Sequence, residues 1–127
     1  MDSFETLTLE RQGSVCFVTI DNPPVNVMTP KLYQELVAAT EQLELDEDLK
    51  VVVFQSADPD FFIAHFDVSS ILTFPADTPA ERTETLSPFH QMCERVRTMP
   101  KATLVKMAGR AGGGGNEFAA SCDMRFG

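Results

Sequence analysis

The sequence predicts an α/β fold with crossover connections, on three observations. Two apolar runs of strand length, VCFVTI at 15–20 and VVVF at 51–54, flank a long stretch of helical periodicity. That strand–helix–strand order is the mark of layered α/β architecture. The chain of 127 residues is 43% hydrophobic and contains ten Phe, enough to bury one core and to predict a single domain over residues 1–127.

The elements follow in order. "ETLTLERQGSVCFVTIDNPP" reads as two strands about a turn at Gln12, Gly13 and Ser14. The second strand is apolar at nearly every position, which predicts cover on both faces. Pro23 and Pro24 end it. Thr29 then stands as N-cap with Pro30 at the first helical position. Leu32, Leu36, Ala39 and Leu43 give that helix one buried stripe. "KVVVFQS" is a short strand, and "ADPDFFIAHFDVSSI" reads as irregular and rich in Phe. "TFPADTPAERTETL" is polar and proline-punctuated, a predicted mobile loop. "PFHQMCERVRTM" is helical with Phe89, Met92, Cys93 and Val96 on one side, and "KATLVKMAG" is another buried strand. "NEFAASCDMRFG" predicts a short helix leading into one more strand.

Composition narrows the function classes. A net charge of −9 argues against nucleic acid or an anionic membrane as partner. No run approaches the length of a membrane span. Three cysteines without a Cys-x-x-Cys pair, and only two histidines, predict neither a disulfide framework nor a metal site. No secretory signal is visible at the start. These features together predict a cytoplasmic protein.

The chemistry gathers at "GRAGGGGNEF", where Gly112 to Gly115 run directly into Asn116 and Glu117. A P-loop needs Lys and Ser/Thr after its last glycine, and this run has neither. The dinucleotide fingerprint needs a third glycine where Phe118 stands. What survives is a strand, a glycine turn and a helix whose first turn carries a carboxylate. Two readings of these residues stand side by side. In one, the bare backbone and the free N–H groups of the helix start form an oxyanion hole, with Glu117 beside it as a base. In the other, the glycines serve tight packing and Glu117 only compensates the helix dipole.

"AGRAGGGGNEFAASCDMRFG" resembles the signature of the enoyl-CoA hydratase/isomerase (crotonase) superfamily. "IDNPPVNVMTPKLYQEL" and "DFFIAHFDVSSI" agree with it in order and spacing, so the resemblance covers almost the whole chain. It implies a crotonase-like spiral of ββα units that binds an acyl-CoA thioester, with coenzyme A as part of the substrate and no separate cofactor. By position, the oxyanion donors would be the backbone N–H groups of Ala64 and Gly114. Glu117 would be the first catalytic carboxylate, which holds and activates water in hydratases. Ala64, His65, Phe66, Asp67 and Gly114 would line the substrate.

Two departures from the family pattern bear on that site. His65 stands where a glycine is usual, either turned to solvent and packing or contacting substrate. Phe66 is bulkier than the residue common there and would narrow the pocket. Asp67 also fits a simple helix N-cap before Val68, Ser69 and Ser70. The resemblance further implies a second carboxylate beyond the equivalent of Gly127. The expectation is therefore the N-terminal part of a longer domain, inactive as residues 1–127 alone and forming homotrimers or hexamers at full length. Hydration of an enoyl-CoA is the expected reaction. Isomerisation or another crotonase-type reaction is the alternative, and a non-catalytic acyl-CoA-binding or association fragment is a third.

Overall fold

A computed structural model describes residues 3–127, and its element order is a ββα pattern repeated. Strands β1 (Leu7–Gln12) and β2 (Val15–Ile20) form an antiparallel hairpin, and helix α1 (Pro30–Leu45) follows. The hairpin closes at Gly13, whose φ of +61° suits a residue without a side chain. The second unit holds β3 (Val51–Ser56), β4 (Phe61–Ile63), the short α2 (Val68–Ile71) and α3 (Pro88–Thr98). The third holds β5 (Ala102–Lys106), β6 (Arg110–Ala111) and α4 (Gly114–Ser121), after which β7 (Met124–Phe126) begins the next.

The strands divide between two sheets. The larger has the order β1-β2-β3-β5-β7, parallel from β2 onward, and β4 pairs with β6 in a two-stranded parallel sheet. Thus the first strand of each later unit extends the large sheet, while the second strand leaves it. The stretch expected to be irregular contains β4 and α2, and the short β6 gave no strand pattern of its own. Both strands are too brief for sequence periodicity to register.

Helix α1 starts as its sequence dictates, with Thr29 Oγ1 accepting from the Leu32 amide and Pro30 following the cap. Leu32, Leu36, Ala39 and Leu43 are buried against Cys16, Val18, Ile20, Val52 and Phe54. Phe118 of α4 meets Phe54 edge to face at 4.9 Å, so α4 closes the same core. The cover of β2 on both faces is not found: Val15, Phe17 and Thr19 are only half-buried. Helices α1, α3 and α4 all supply the opposite face, so alternate residues of β2 differ in burial.

Two polar clasps fix the frame. The Glu35 carboxylate of α1 accepts from the amides of Glu5 and Thr6 and from the Thr6 hydroxyl, at 2.5–3.1 Å. At the far edge, Asp123 Oδ2 accepts from the Thr103 amide at 2.9 Å, while the Asp123 amide donates to Thr103 Oγ1 at 3.0 Å. This reciprocal pair ties the turn after α4 to β5. The segment between α2 and α3 has no helix or strand and is exposed throughout residues 72–87.

Candidate active site

The four glycines have four separate jobs. A β-carbon on Gly112 would lie 2.6 Å from the Ala64 carbonyl oxygen, and one on Gly115 would lie 2.4 Å from the Ile63 carbonyl oxygen. Real side chains do not approach backbone that closely, so these two positions let the turn after β6 pack onto the end of β4. Gly113 has φ +49°, in the left-handed region that L side chains rarely adopt. Gly114 is buried, and a β-carbon there would touch the side chains of Phe66 at 3.3 Å and Phe89 at 3.6 Å. The close approach of residues 63–66 to residues 112–115 follows from these contacts and from the β4–β6 pairing.

Helix α4 starts at once from this turn. Gly113 is its N-cap and supplies no side chain, and the first helical bond runs from the Glu117 amide to the Gly113 carbonyl at 3.0 Å. Among the described residues, the backbone N–H groups of Ala64 and Gly114 donate no hydrogen bond within the protein. They are free donors on the two backbone segments that the glycines bring together. A helix start also carries partial positive charge, which favours a developing anion.

A cavity of about 630 Å³ opens beside them. Gly113, Gly114 and Glu117 contribute to its wall from α4, and His65 and Phe66 contribute from the loop after β4. Tyr33 of α1, Val68 and Ile71 of α2, Phe74, and the start of α3 from Ser87 to His90 complete it. Of the residues read from the sequence, Glu117, Gly114, His65 and Phe66 therefore meet at one wall. Phe66 forms part of the lining without closing the space. Ala64 and Asp67 are not among the lining residues, although Ala64 directly precedes His65 and Phe66, which are.

Asp67 is the N-cap of α2, accepting from the Ser69 amide at 3.0 Å and the Ser69 hydroxyl at 2.7 Å. The bond from the Ser69 hydroxyl holds its carboxyl below the usual carboxylate range. His65 is exposed, with Nδ1 2.7 Å from the Phe66 carbonyl oxygen. Glu117 is exposed, and its charge reaches Cys93 on α3. Burial pushes the Cys93 thiol up, a Ser121 hydrogen bond opposes this, and the Glu117 charge reinforces it. Cys122 is pushed up to about 12 by burial, so it is an inert packing group.

Tyr33, Phe89 and the α2 side chains were not legible as site residues. Phe89 carried a signal, an aromatic one residue after the Ser87-Pro88 helix start, but read as core. No Lys or Arg is among the described residues of the wall, so this cavity is chemistry for an apolar group rather than for phosphates. Among the described residues, no group of three or more His, Cys, Asp or Glu side chains could hold a metal ion. No helix in that range is long and apolar enough to cross a membrane.

Comparison with known proteins identifies the family and the fold. The family model described as enoyl-CoA hydratase/isomerase matches residues 10–126. A "probable enoyl-CoA hydratase" of Bacillus subtilis (strain 168) is 29% identical over 116 residues, covering 88% of this chain and 42% of its own length. A protein of Streptomyces avermitilis, assigned provisionally as an enoyl-CoA hydratase, has a crystal structure that superposes with a TM-score of 0.80 at 37% identity. That match covers 98% of this chain and 46% of the other. Human mitochondrial delta3-delta2-enoyl-CoA isomerase shares the fold, with a TM-score of 0.77 over 95% of this chain and 46% of its own. The chain thus spans less than half the length of each of these proteins, and its α/β architecture corresponds to part of the crotonase fold. The chain belongs to the enoyl-CoA hydratase/isomerase family.

Proposed function

We propose that the protein adds water across the conjugated double bond of an enoyl-CoA thioester, with Glu117 orienting and activating the water. The observation that carries this is the meeting of Glu117 with the free Gly114 amide on the wall of one cavity. In this reading the thioester carbonyl oxygen accepts from the N–H groups of Gly114 and Ala64. The water oxygen bonds to the β-carbon while Glu117 takes a proton from it. The π electrons move through the α-carbon onto the carbonyl oxygen as an enolate, which the two donors stabilise. One such donor is typically worth about 10²–10³ in rate.

A proton then returns to the α-carbon as the enolate collapses. Glu117 is the only carboxylate on the wall among the described residues. The family resemblance assigns that proton to a second carboxylate outside residues 1–127, and on this reading those residues alone are inactive. His65 and Phe66 flank the thioester, and Asp67 supports them by fixing the start of α2. The CoA moiety belongs to the substrate, and the reaction needs no further cofactor. Under the same proposal the working form is a cytoplasmic homotrimer or hexamer.

The test is Glu117→Gln in the full-length chain, with hydration followed as loss of the conjugated thioester absorbance. Removing the base lowers kcat by about 10²–10⁴-fold. Undiminished hydration by a folded Glu117→Gln protein would refute the assignment. Product with a shifted double bond and no added water would mark an isomerase instead.

A further inference from the structure

The cavity that carries Glu117 and Gly114 has two sides of different construction. One is rigid and aromatic. Phe66 meets Phe89 edge to face at 5.8 Å, and Tyr33 lies 6.3 Å from each ring. All three rings pack against the buried core. The other side consists of Val68, Ile71 and Phe74, which are 60%, 47% and 58% exposed. Helix α2 buries none of its four residues, so no core beneath it accounts for these side chains. Single exposed apolar residues are ordinary, but three gathered on one cavity beside an active centre mark a binding surface.

The polar groups of the lining point to the same occupant. His65 Nδ1 is engaged with the Phe66 carbonyl, and His90 Nδ1 lies 2.9 Å from the Ser87 hydroxyl. Glu117 and the glycine backbone make one polar end, and carbon forms most of the remainder. A volume of about 630 Å³ falls among pockets that enclose whole drug-sized ligands. A butyryl group would leave most of that space as water against carbon.

Accepting the thioester reading above, we infer that this site selects a medium-length linear acyl chain lying between the aromatic side and the α2 side. Each methylene moved fully from water onto an apolar surface tightens binding by up to roughly fourfold, so affinity rises along the series toward chains of about eight carbons or more. Val68, Ile71 and Phe74 are the specificity-determining residues, since they supply the outer half of the contact.

The test is calorimetric titration of the protein with butyryl-, hexanoyl-, octanoyl- and decanoyl-CoA, and with free decanoate. Saturated acyl-CoA thioesters lack the conjugated double bond and bind without hydration, so affinity is read directly. The expected result is a gain of tenfold or more from butyryl- to decanoyl-CoA. In the double variant Ile71→Ser/Phe74→Ser that ratio falls toward one; both side chains are exposed, so the exchange does not open the core. Equal affinity across the CoA series would overturn the chain-length inference and leave the thioester reading standing. So would a ratio that the double variant leaves unchanged. Decanoate binding as tightly as decanoyl-CoA would do the reverse, keeping the apolar surface and removing the thioester reading. Failure of every ligand to bind would overturn both.

Discussion

Gly112→Ala separates a catalytic use of the glycine run from a merely structural one. The backbone at Gly112 is outside the left-handed region, so alanine is allowed there conformationally. The added β-carbon would nevertheless sit 2.6 Å from the Ala64 carbonyl oxygen, where ordinary contact begins at 3.4 Å. The two segments must therefore part by about 0.8 Å. That displacement falls on the residue whose amide is assigned to the oxyanion. Misplacing a catalytic group by about 1 Å can cost roughly 10²-fold, much as losing one oxyanion donor does. In the full-length chain we expect kcat for enoyl-CoA hydration to fall about 100-fold, with KM changed far less. Overpacking of this kind also costs about 1–3 kcal/mol of stability, read as a lowered Tm. Gly13→Ala is the matched control, because its β-carbon meets nothing within 4 Å while its φ of +61° strains the backbone. It loses stability on the order of 1 kcal/mol and keeps its turnover. A folded Gly112→Ala protein with turnover equal to that of Gly13→Ala would refute the reasoning.

Two further predictions concern the clasps that hold the frame. Burial raises the Glu35 carboxyl, but bonds from the Thr6 hydroxyl and the Glu5 and Thr6 amides outweigh this and leave it below its ordinary 4.5. A depressed carboxylate stabilises the fold at pH above its unfolded value and loses that contribution as pH falls through the folded one. Urea midpoints should therefore drop below about pH 4.5 in the native protein, and Glu35→Ala should flatten that dependence while costing roughly 2–3 kcal/mol at neutral pH. Asp123→Ala leaves the amide of buried Thr103 without its acceptor, a loss of about 1–3 kcal/mol. Amide exchange should quicken first at β5 and β7, and uniform quickening across the sheet would contradict the local role.

The sequence made some features legible because they rest on local chemistry. Thr29-Pro30 announces α1, the glycine turn announces the hairpin, and Glu117 falls in the first turn of a helix as its position after the glycines implies. Features made by distant segments were not legible. Strands β4 and β6 exist through each other, since three and two residues carry no periodicity alone. The separate duties of Gly112, Gly113, Gly114 and Gly115 depend on where Ile63, Ala64 and Phe66 lie, which no local pattern encodes. The aromatic side of the cavity draws Tyr33, Phe66 and Phe89 from three parts of the chain, so Phe89 resembled an ordinary core residue. Nothing in the local sequence marks Glu35, yet it is buried and grips Glu5 and Thr6 just ahead of β1.

The central claim is that the amides of Ala64 and Gly114 polarise a thioester carbonyl beside Glu117. Isotope-edited infrared difference spectroscopy tests it directly, using an enoyl-CoA labelled at the carbonyl carbon and bound to the Glu117→Gln protein to prevent turnover. The account predicts a carbonyl stretch shifted to lower frequency than in free enoyl-CoA, with most of that shift lost when Gly112→Ala is added. A bound thioester that keeps its solution frequency would contradict it.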